Sequence, residues 1–508
     1  MGGFFTRQGI KQASILIAVV TVSSQLLGVV REAIIANFFG TSQEYDIILL
    51  ALAIPLMVGG LFFQAIPAAG IPSLQGYAGR KGVLRSPFVG INNILILGIS
   101  AIVFLVLPLF RGLLAEGLDN AAADKVILFG RIFCLIIPLR AYEAMFRALL
   151  HLRHHFLFPA IAILGFNLCT IVILFMLFPS LASAAYVIAW LAGVLVQTLL
   201  VMIPTVVMYR RAEHGDGKAD GFNRSGYLQY LGTIILIEAI GLLNDPFDRF
   251  LCGVYLDPGY VSAAHYANII NLVPVRVFMY SLATAVFPTF SERAAGHNKA
   301  GLAVLYHKAL AMGVLMLAPV TAFFLLFRQE IIGILFERGA FVAQSRVMTS
   351  EILAYFAAGM FFIAVFYIQS RVYYALKSWK MLFVVRPLTM GIKVLIGFYL
   401  IGDNWAMAVG GGTVVMFVVS FLLLELFLIV RIGLKYTADD FHLLGKAIIG
   451  AAVTVLLFIV VQWFGVSVLG IDGFGLMFLA GVVGFGGLAV LDQVFGISGI
   501  RLFKAKRG

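Results

Sequence analysis

Arg31 and Glu32 interrupt the apolar stretch LGVVREAIIANFF, and Asp46 follows just beyond the turn at Gly40. A second group, Glu238, Asp245, Asp248 and Arg249, lies in EAIGLLNDPFDRFLCG. A third, Arg140, Glu143 and Arg147, has the i, i+3, i+7 spacing that makes a polar stripe on one helix face. Arg276 follows Pro274, and Arg371 and Arg386 stand in further apolar runs. Guanidinium groups in such settings suit phosphate oxygens, which they can grip in a bidentate fork. Asp245 and Asp248 share a helix face, and Pro246 frees a backbone carbonyl beside them. Two carboxylates and a carbonyl are ligands for a hard cation, although Arg249 or a basic substrate could neutralise them equally well.

The elements that carry these charges are unusually apolar. Of 508 residues, 62% are hydrophobic and 12% charged, whereas a soluble domain is nearer half apolar and a quarter charged. The composition is that of an all-α polytopic membrane protein. About 20 apolar residues cross a bilayer as a helix, and on that rule the chain holds about fourteen spans, from 13–39 to 474–498. The first apolar run continues too far for a cleaved signal and reads as an uncleaved span. Lys and Arg concentrate in alternate connections and at both ends, while the opposite connections, such as GTSQEY, LDPGY and GDN, are short or acidic. Both termini are therefore expected in the cytoplasm, in agreement with an even span number. The net charge of +12 belongs to those loops and not to a nucleic-acid surface. Cys134, Cys169 and Cys252 all lie in apolar runs and suggest neither a disulfide framework nor a metal site.

A charge at mid-bilayer costs several kcal/mol or more unless it has a partner or faces a cavity. Arg31 lies some eight or nine residues before Gly40, which puts it about 12 Å below the outer surface. An Arg31–Asp46 pair is expected, either as a plain ion pair in a helix hairpin or as a gate at the outer mouth of a cavity. Glu143 is the expected partner of Arg140, and Arg147 can snorkel to the cytoplasmic interface. His151, His154 and His155 in HLRHHF sit at a basic helix end, where a headgroup contact explains them better than a metal.

Motifs recur in the same order six spans apart. IPSLQGYAGRKG is answered by VFPTFSERAAGHNK, LLAEGLD by ILFERGAF, and FRALLHLRHHF by SRVYYALKSWK. The reading is two parallel six-helix lobes, 1–215 and 216–436, with 437–508 holding two further spans and a basic tail. Parallel repeats of this kind are a transporter architecture, with the substrate between the lobes. No connection is long enough for a soluble catalytic domain. GxxxxGK[ST], HExxH and a defensible Ser/His/Asp arrangement are all missing, so the chain reads as a transporter and not an enzyme.

The segment SSQLLGVVREAIIANFFGTSQEYDIILLALAIP (23–55), with IPSL (71–74) and YANIINLVP (266–274), resembles the MviN/MurJ family of the multidrug/oligosaccharidyl-lipid/polysaccharide exporter superfamily. The resemblance rests on Leu27, Gly28, Arg31, Glu32, Phe39, Gly40, Asp46, Ile54 and Pro55. It implies an alternating-access flippase with a central cationic cavity for an undecaprenyl-diphosphate-linked sugar. Relatives usually carry Arg at the positions of Gln25 and Ile269, and an Arg pair with Glu at Gly59, Gly60 and Gln64, so much of the expected cavity charge is missing. FDRFLCGVYLDPGYVSAAHYA (247–267) is similar to polysaccharide repeat-unit flippases. The expected function is transport of a lipid-linked unit for exopolysaccharide or cell-surface polysaccharide. The alternative is the lipid II flippase of peptidoglycan synthesis, and a drug/cation antiporter ranks third. The expected cavity and gate residues are Arg31, Glu32, Asp46, Arg140, Glu143, Arg147, Arg276 and Arg371. Coupling to sodium, protons or membrane potential is expected through Glu238, Asp245, Asp248 and Arg249, with no cofactor and no bound metal. The expected partners are the polyprenyl-diphosphate glycan, membrane lipids, and glycosyltransferases or a polymerase of the same pathway, in the bacterial inner membrane and without nucleic acid.

Overall fold

The computed structural model describes residues 10–74, 84, 86–153, 155–211, 222–378, 380–468, 470 and 473–496. All regular structure among them is helical: α1 (Ile10–Phe39), α2 (Gln43–Ser73), α3 (Pro87–Val106), α4 (Asn120–Phe133), α5 (Ile136–Leu152), α6 (Leu157–Leu181), α7 (Ser183–Arg211), α8 (Arg224–Leu242), α9 (Asn244–Tyr255), α10 (Tyr260–Pro274), α11 (Ser281–Ala295), α12 (Lys299–Leu326), α13 (Arg328–Phe336), α14 (Ala343–Ala375), α15 (Lys380–Leu400), α16 (Gly412–Phe427), α17 (Ala438–Ser467) and α18 (Gly473–Phe495). In a bilayer each backbone polar group must be satisfied within its own segment, and a helix does this whatever its side chains. The ends are capped locally. Asp119 accepts from the Ala122 N–H at 2.7 Å, Asn223 from Gly226 at 2.9 Å and Asn298 from Gly301 at 2.8 Å, and Thr437 with Asp440 forms a capping box.

Eleven described segments are long and apolar enough to cross a membrane. The three other expected spans fall on α1, on the broken α4–α5 pair, and on α10 and α11, which a π-helical turn at Val275–Tyr280 separates. The expected count of fourteen thus has a helical segment at every place, and two of the three extra ones are interrupted. Span seven is also interrupted, at Leu243 between α8 and α9, three residues ahead of Pro246. Pro246 has no N–H to give the preceding turn, which is the physical cause of the break.

The chain divides into two compact units, Met1–Ser262 and Ala263–Gly508. In the first, α2 is the centre. It packs against α4, α5, α8 and α9, while α6 pairs with α7 and α1, and α7 with α5. The face of α2 from Tyr45 to Ala53 is sealed from solvent. In the second unit α14 is central, against α11, α12 and α16, and α17 joins α12 to α18. Glycines permit the closest crossings. A Cβ at Gly193 would run into the Thr170 hydroxyl, and one at Gly410 would meet Tyr355 at 2.6 Å.

Candidate functional site

The charged groups of the first unit gather on α1, α2, α5 and α6. Glu32 is buried and is engaged by the Nε of Arg31 at 3.2 Å and by its Nη2. The Nη1 of Arg31 donates to Asn167 on α6 at 2.8 Å, and Asn167 in turn donates to the Ser24 carbonyl at 3.3 Å. The guanidinium also lies 4.9 Å from the ring centroid of Phe166 and 5.0 Å from that of Trp190. Arg31 is thus held on every side by its own unit.

Arg140 is placed differently. Its Nη1 reaches Glu143 at 3.4 Å, and its guanidinium lies 5.3 Å from the Phe63 ring and 5.9 Å from the Phe166 ring. Glu143 is 1% exposed, and its other oxygen accepts from the Gln197 amide on α7 at 3.0 Å. Arg147, two turns along α5, stacks on Phe63 at 3.6 Å and donates to the Phe63 carbonyl at 2.7 Å. Phe166 is shared by Arg31 and Arg140, and Phe63 by Arg140 and Arg147. Three guanidinium groups therefore alternate with two aromatic rings, with Glu32 and Glu143 as acidic neighbours. Guanidinium–aromatic stacking holds a cation in place without using its N–H donors.

Asp46 does not meet Arg31: neither a hydrogen bond nor an ion pair joins them among the described residues. The expected hairpin pair is corrected here, and the reason is that each side chain has better partners. Asp46 accepts from the backbone N–H of Gly259 at 2.5 Å and of Ser262 at 2.8 Å, so it caps the first turn of α10 from another helix. Gly259 has φ +103°, and a Cβ there would lie 2.7 Å from the Thr41 carbonyl, so the capped loop demands glycine. Beside it Arg249 donates to the Leu49 carbonyl at 2.5 Å and pairs with Asp245 at 2.8 Å. Asp245 is thereby neutralised within its own helix, the alternative left open for a cation site. Asp248 is buried, and Glu238 is half-buried. No group of three His, Cys, Asp or Glu able to hold a metal occurs among the described residues.

The remaining expected residues lie in the second unit. Arg276 is exposed, on the π-helical turn, and Arg371 lies 5.7 Å from the Phe287 ring. His155 is 5% exposed, and the His151 ring lies 5.0 Å from that of Phe156, tilted by 40°. His154 lies outside the described residues. Sequence reasoning missed Asn167, Gln197, Phe63 and Phe166. It also missed a polar cluster in which Glu425 accepts from Tyr306, from Gln369 at 3.0 Å and from Tyr436 at 2.7 Å. The available signal was a lone amide or carboxylate in an apolar run, as in VLVQTLLV and LLLELFL.

The family described as "Lipid II flippase MurJ" matches residues 35–482. A "Probable lipid II flippase MurJ" of Thermotoga maritima is 24% identical over 451 residues, 86% of this chain and 88% of the relative. That of Aquifex aeolicus is 25% identical over 375 residues, 72% of each. Among solved structures, "Lipid II flippase MurJ, inward closed conformation" covers 95% of this chain and 98% of its own, with a TM-score of 0.78 at 18% identity. An inward-facing multidrug resistance MATE family transporter of the MOP superfamily covers 85% of this chain and 98% of its own, with a TM-score of 0.60 at 13% identity.

Proposed function

The chain belongs to the MurJ family of lipid II flippases, and from that premise we propose that it carries a polyprenyl-diphosphate-linked saccharide across the bacterial inner membrane, with lipid II as the substrate. The observation that carries the reading is the line Arg31–Phe166–Arg140–Phe63–Arg147, three half-buried cations on one unit of a transporter. Such a line suits a diphosphate, whose charge needs several guanidinium groups in a medium that does not solvate it. The exopolysaccharide precursor, placed first on the departures at Gln25, Gly59 and Ile269, moves to second place. The relatives that match along most of the chain are named for lipid II. Moreover, Gly59 lies against Arg140, whose Cβ would be 3.4 Å from a Cβ at that position, so α5 supplies a cation beside the glycine of α2.

Both termini are proposed to face the cytoplasm, which puts the Asp46–Ser262 cap at the outer ends of its helices. Energy is proposed to enter as sodium, protons or membrane potential through the interrupted segment that holds Glu238, Asp248 and the Asp245–Arg249 pair, which an entering cation or proton would have to open. The test is a strain depleted of its own lipid II flippase. Expression of this chain at normal level should restore growth. Membrane-inserted protein that fails to restore it, together with loss of a surface polysaccharide on deletion of the gene, would transfer the function to the polysaccharide precursor.

A further inference from the structure

Arg31 and Arg140 have different numbers of N–H donors left over. A guanidinium has five. Arg31 uses Nε and Nη2 on Glu32 and Nη1 on Asn167, and its faces are covered by Phe166 and Trp190. Arg140 has one bond, a long one from Nη1 to Glu143 at 3.4 Å, and two rings at its flanks. Its side chain is 18% exposed, against 12% for Arg31. Glu143 could in principle draw Arg140 into a short bidentate pair. It does not, because Gln197 donates to its other oxygen at 3.0 Å. A neutral amide thus satisfies much of a buried carboxylate that would otherwise consume the cation. Gly59 on α2 adds no side chain of its own on that side of Arg140.

We propose that Arg140, held open by the Glu143–Gln197 pair, is the group that takes the phosphate oxygens of the lipid-linked substrate, and that Gln197 is its positioning residue. This assignment rests on the flippase reading above. Arg31 then serves to bind α1 to α6, and its charge contributes to the field without direct contact. Arg140 approaches the ligand with its fork free, and Phe63 and Phe166 fix the plane of the fork.

The experiment uses the full-length chain in lipid nanodiscs, with undecaprenyl diphosphate as the probe and undecaprenol, which has the same tail and no phosphate, as the reference. The wild type should bind the diphosphate in preference to the alcohol. Arg140→Gln should reduce that preference about tenfold or more, the size of a lost charge-assisted contact. Arg140→Lys, which keeps the charge and loses the fork, should fall between the two. Glu143→Gln should act in the opposite direction and tighten diphosphate binding, because it releases the one bond that Arg140 makes. Gln197→Leu should weaken it, because Glu143 then draws on Arg140 alone. Alcohol binding should stay constant in all four variants, and thermal unfolding checks that each is folded. If Glu143→Gln weakens diphosphate binding as Arg140→Gln does, the stripe is structural and the assignment fails. Equal preference in wild type and Arg140→Gln also overturns it while leaving the flippase reading intact. A wild type that does not distinguish diphosphate from alcohol removes the flippase reading and this assignment together.

Discussion

Among the described residues each unit contains one buried carboxylate–carboxamide pair, and the two pairs are built in reverse. In the first, Glu143 is on α5 and Gln197 on α7, 54 residues later. In the second, Gln369 is on α14 and Glu425 on α16, 56 residues later. The acid and the amide have exchanged helices at nearly the same spacing, as expected if the inferred six-span repeat is genuine. The surroundings differ more. Glu143 has a cation beside it, Arg140, and no phenol donor. Glu425 has two phenols, Tyr306 and Tyr436, and Tyr373 bonds the Leu424 carbonyl at 2.6 Å one residue away. Tyr436 also stacks on His307 at 3.8 Å, and His307 lies 3.0 Å from Asp440 at the start of α17. Neutral donors engage both oxygens of the second pair's carboxylate, Tyr436 on one and Tyr306 with Gln369 on the other. A loosely held cation leaves the first pair with a charge to offer. The same motif fastens helices in one unit and presents an arginine in the other.

Breaking the second pair should have the largest effect. Glu425→Leu strands two phenols and an amide in an apolar interior, at about 3 kcal/mol or more in sum. The expected result is loss of folded protein in detergent and a collapse of membrane yield. A normally folded variant would mean that the cluster is solvated and not a fastening. Smaller losses, about 1 kcal/mol each, are expected from Tyr306→Phe and Tyr436→Phe, since interhelical hydrogen bonds in membranes average well below 2 kcal/mol. Urea or thermal unfolding in detergent reads them directly, and a loss of transport without a loss of stability would place these phenols in the transport cycle instead.

The cap formed by Asp46 gives an intermediate case inside the first unit. Asp46→Ala leaves two N–H groups of α10 without their acceptor and should cost about 1–2 kcal/mol, typical of a lost N-cap. Asp46→Asn retains one acceptor oxygen and should recover most of it. Equal damage from both would assign the role to charge and not to capping. The smallest stability change is expected for Glu143→Gln, below about 1 kcal/mol, because an amide pair replaces an acid–amide pair with Arg140 still stacked between its rings. A stability loss as large as that of Glu425→Leu would erase the distinction between the two units.

Much of the architecture was legible because membrane crossing is a local property. An apolar run of sufficient length must be helical wherever it packs, and the runs at 45–74, 300–327 and 348–376 correspond to α2, α12 and α14. Breaks were legible where proline caused them, as at Pro246. The Arg140–Glu143 contact was legible too, since both residues lie on one helix at a fixed i, i+3 spacing. The Arg31–Asp46 pair was misjudged because nearness in a hairpin says nothing about competitors from elsewhere. Asn167, 136 residues from Arg31, and Gly259, 213 residues from Asp46, took the two side chains.

The amino-acid sequence alone determined a helical membrane protein with arginines set inside its first, fourth, eighth and tenth apolar runs. Hydropathy acts through about 20 consecutive residues, and the cost of an unsatisfied charge is paid wherever the residue lies. Tertiary structure decided how each charge is used. Whether an arginine is consumed by neighbours or left with open donors depends on which amide or ring a distant helix brings within about 3 Å of it. That is a matter of helix packing and not of order along the chain. Gln197 and Asn167 look alike in sequence, each a single amide in an apolar run. Only packing gives one the task of holding a glutamate away from Arg140, and the other that of fastening Arg31 in place.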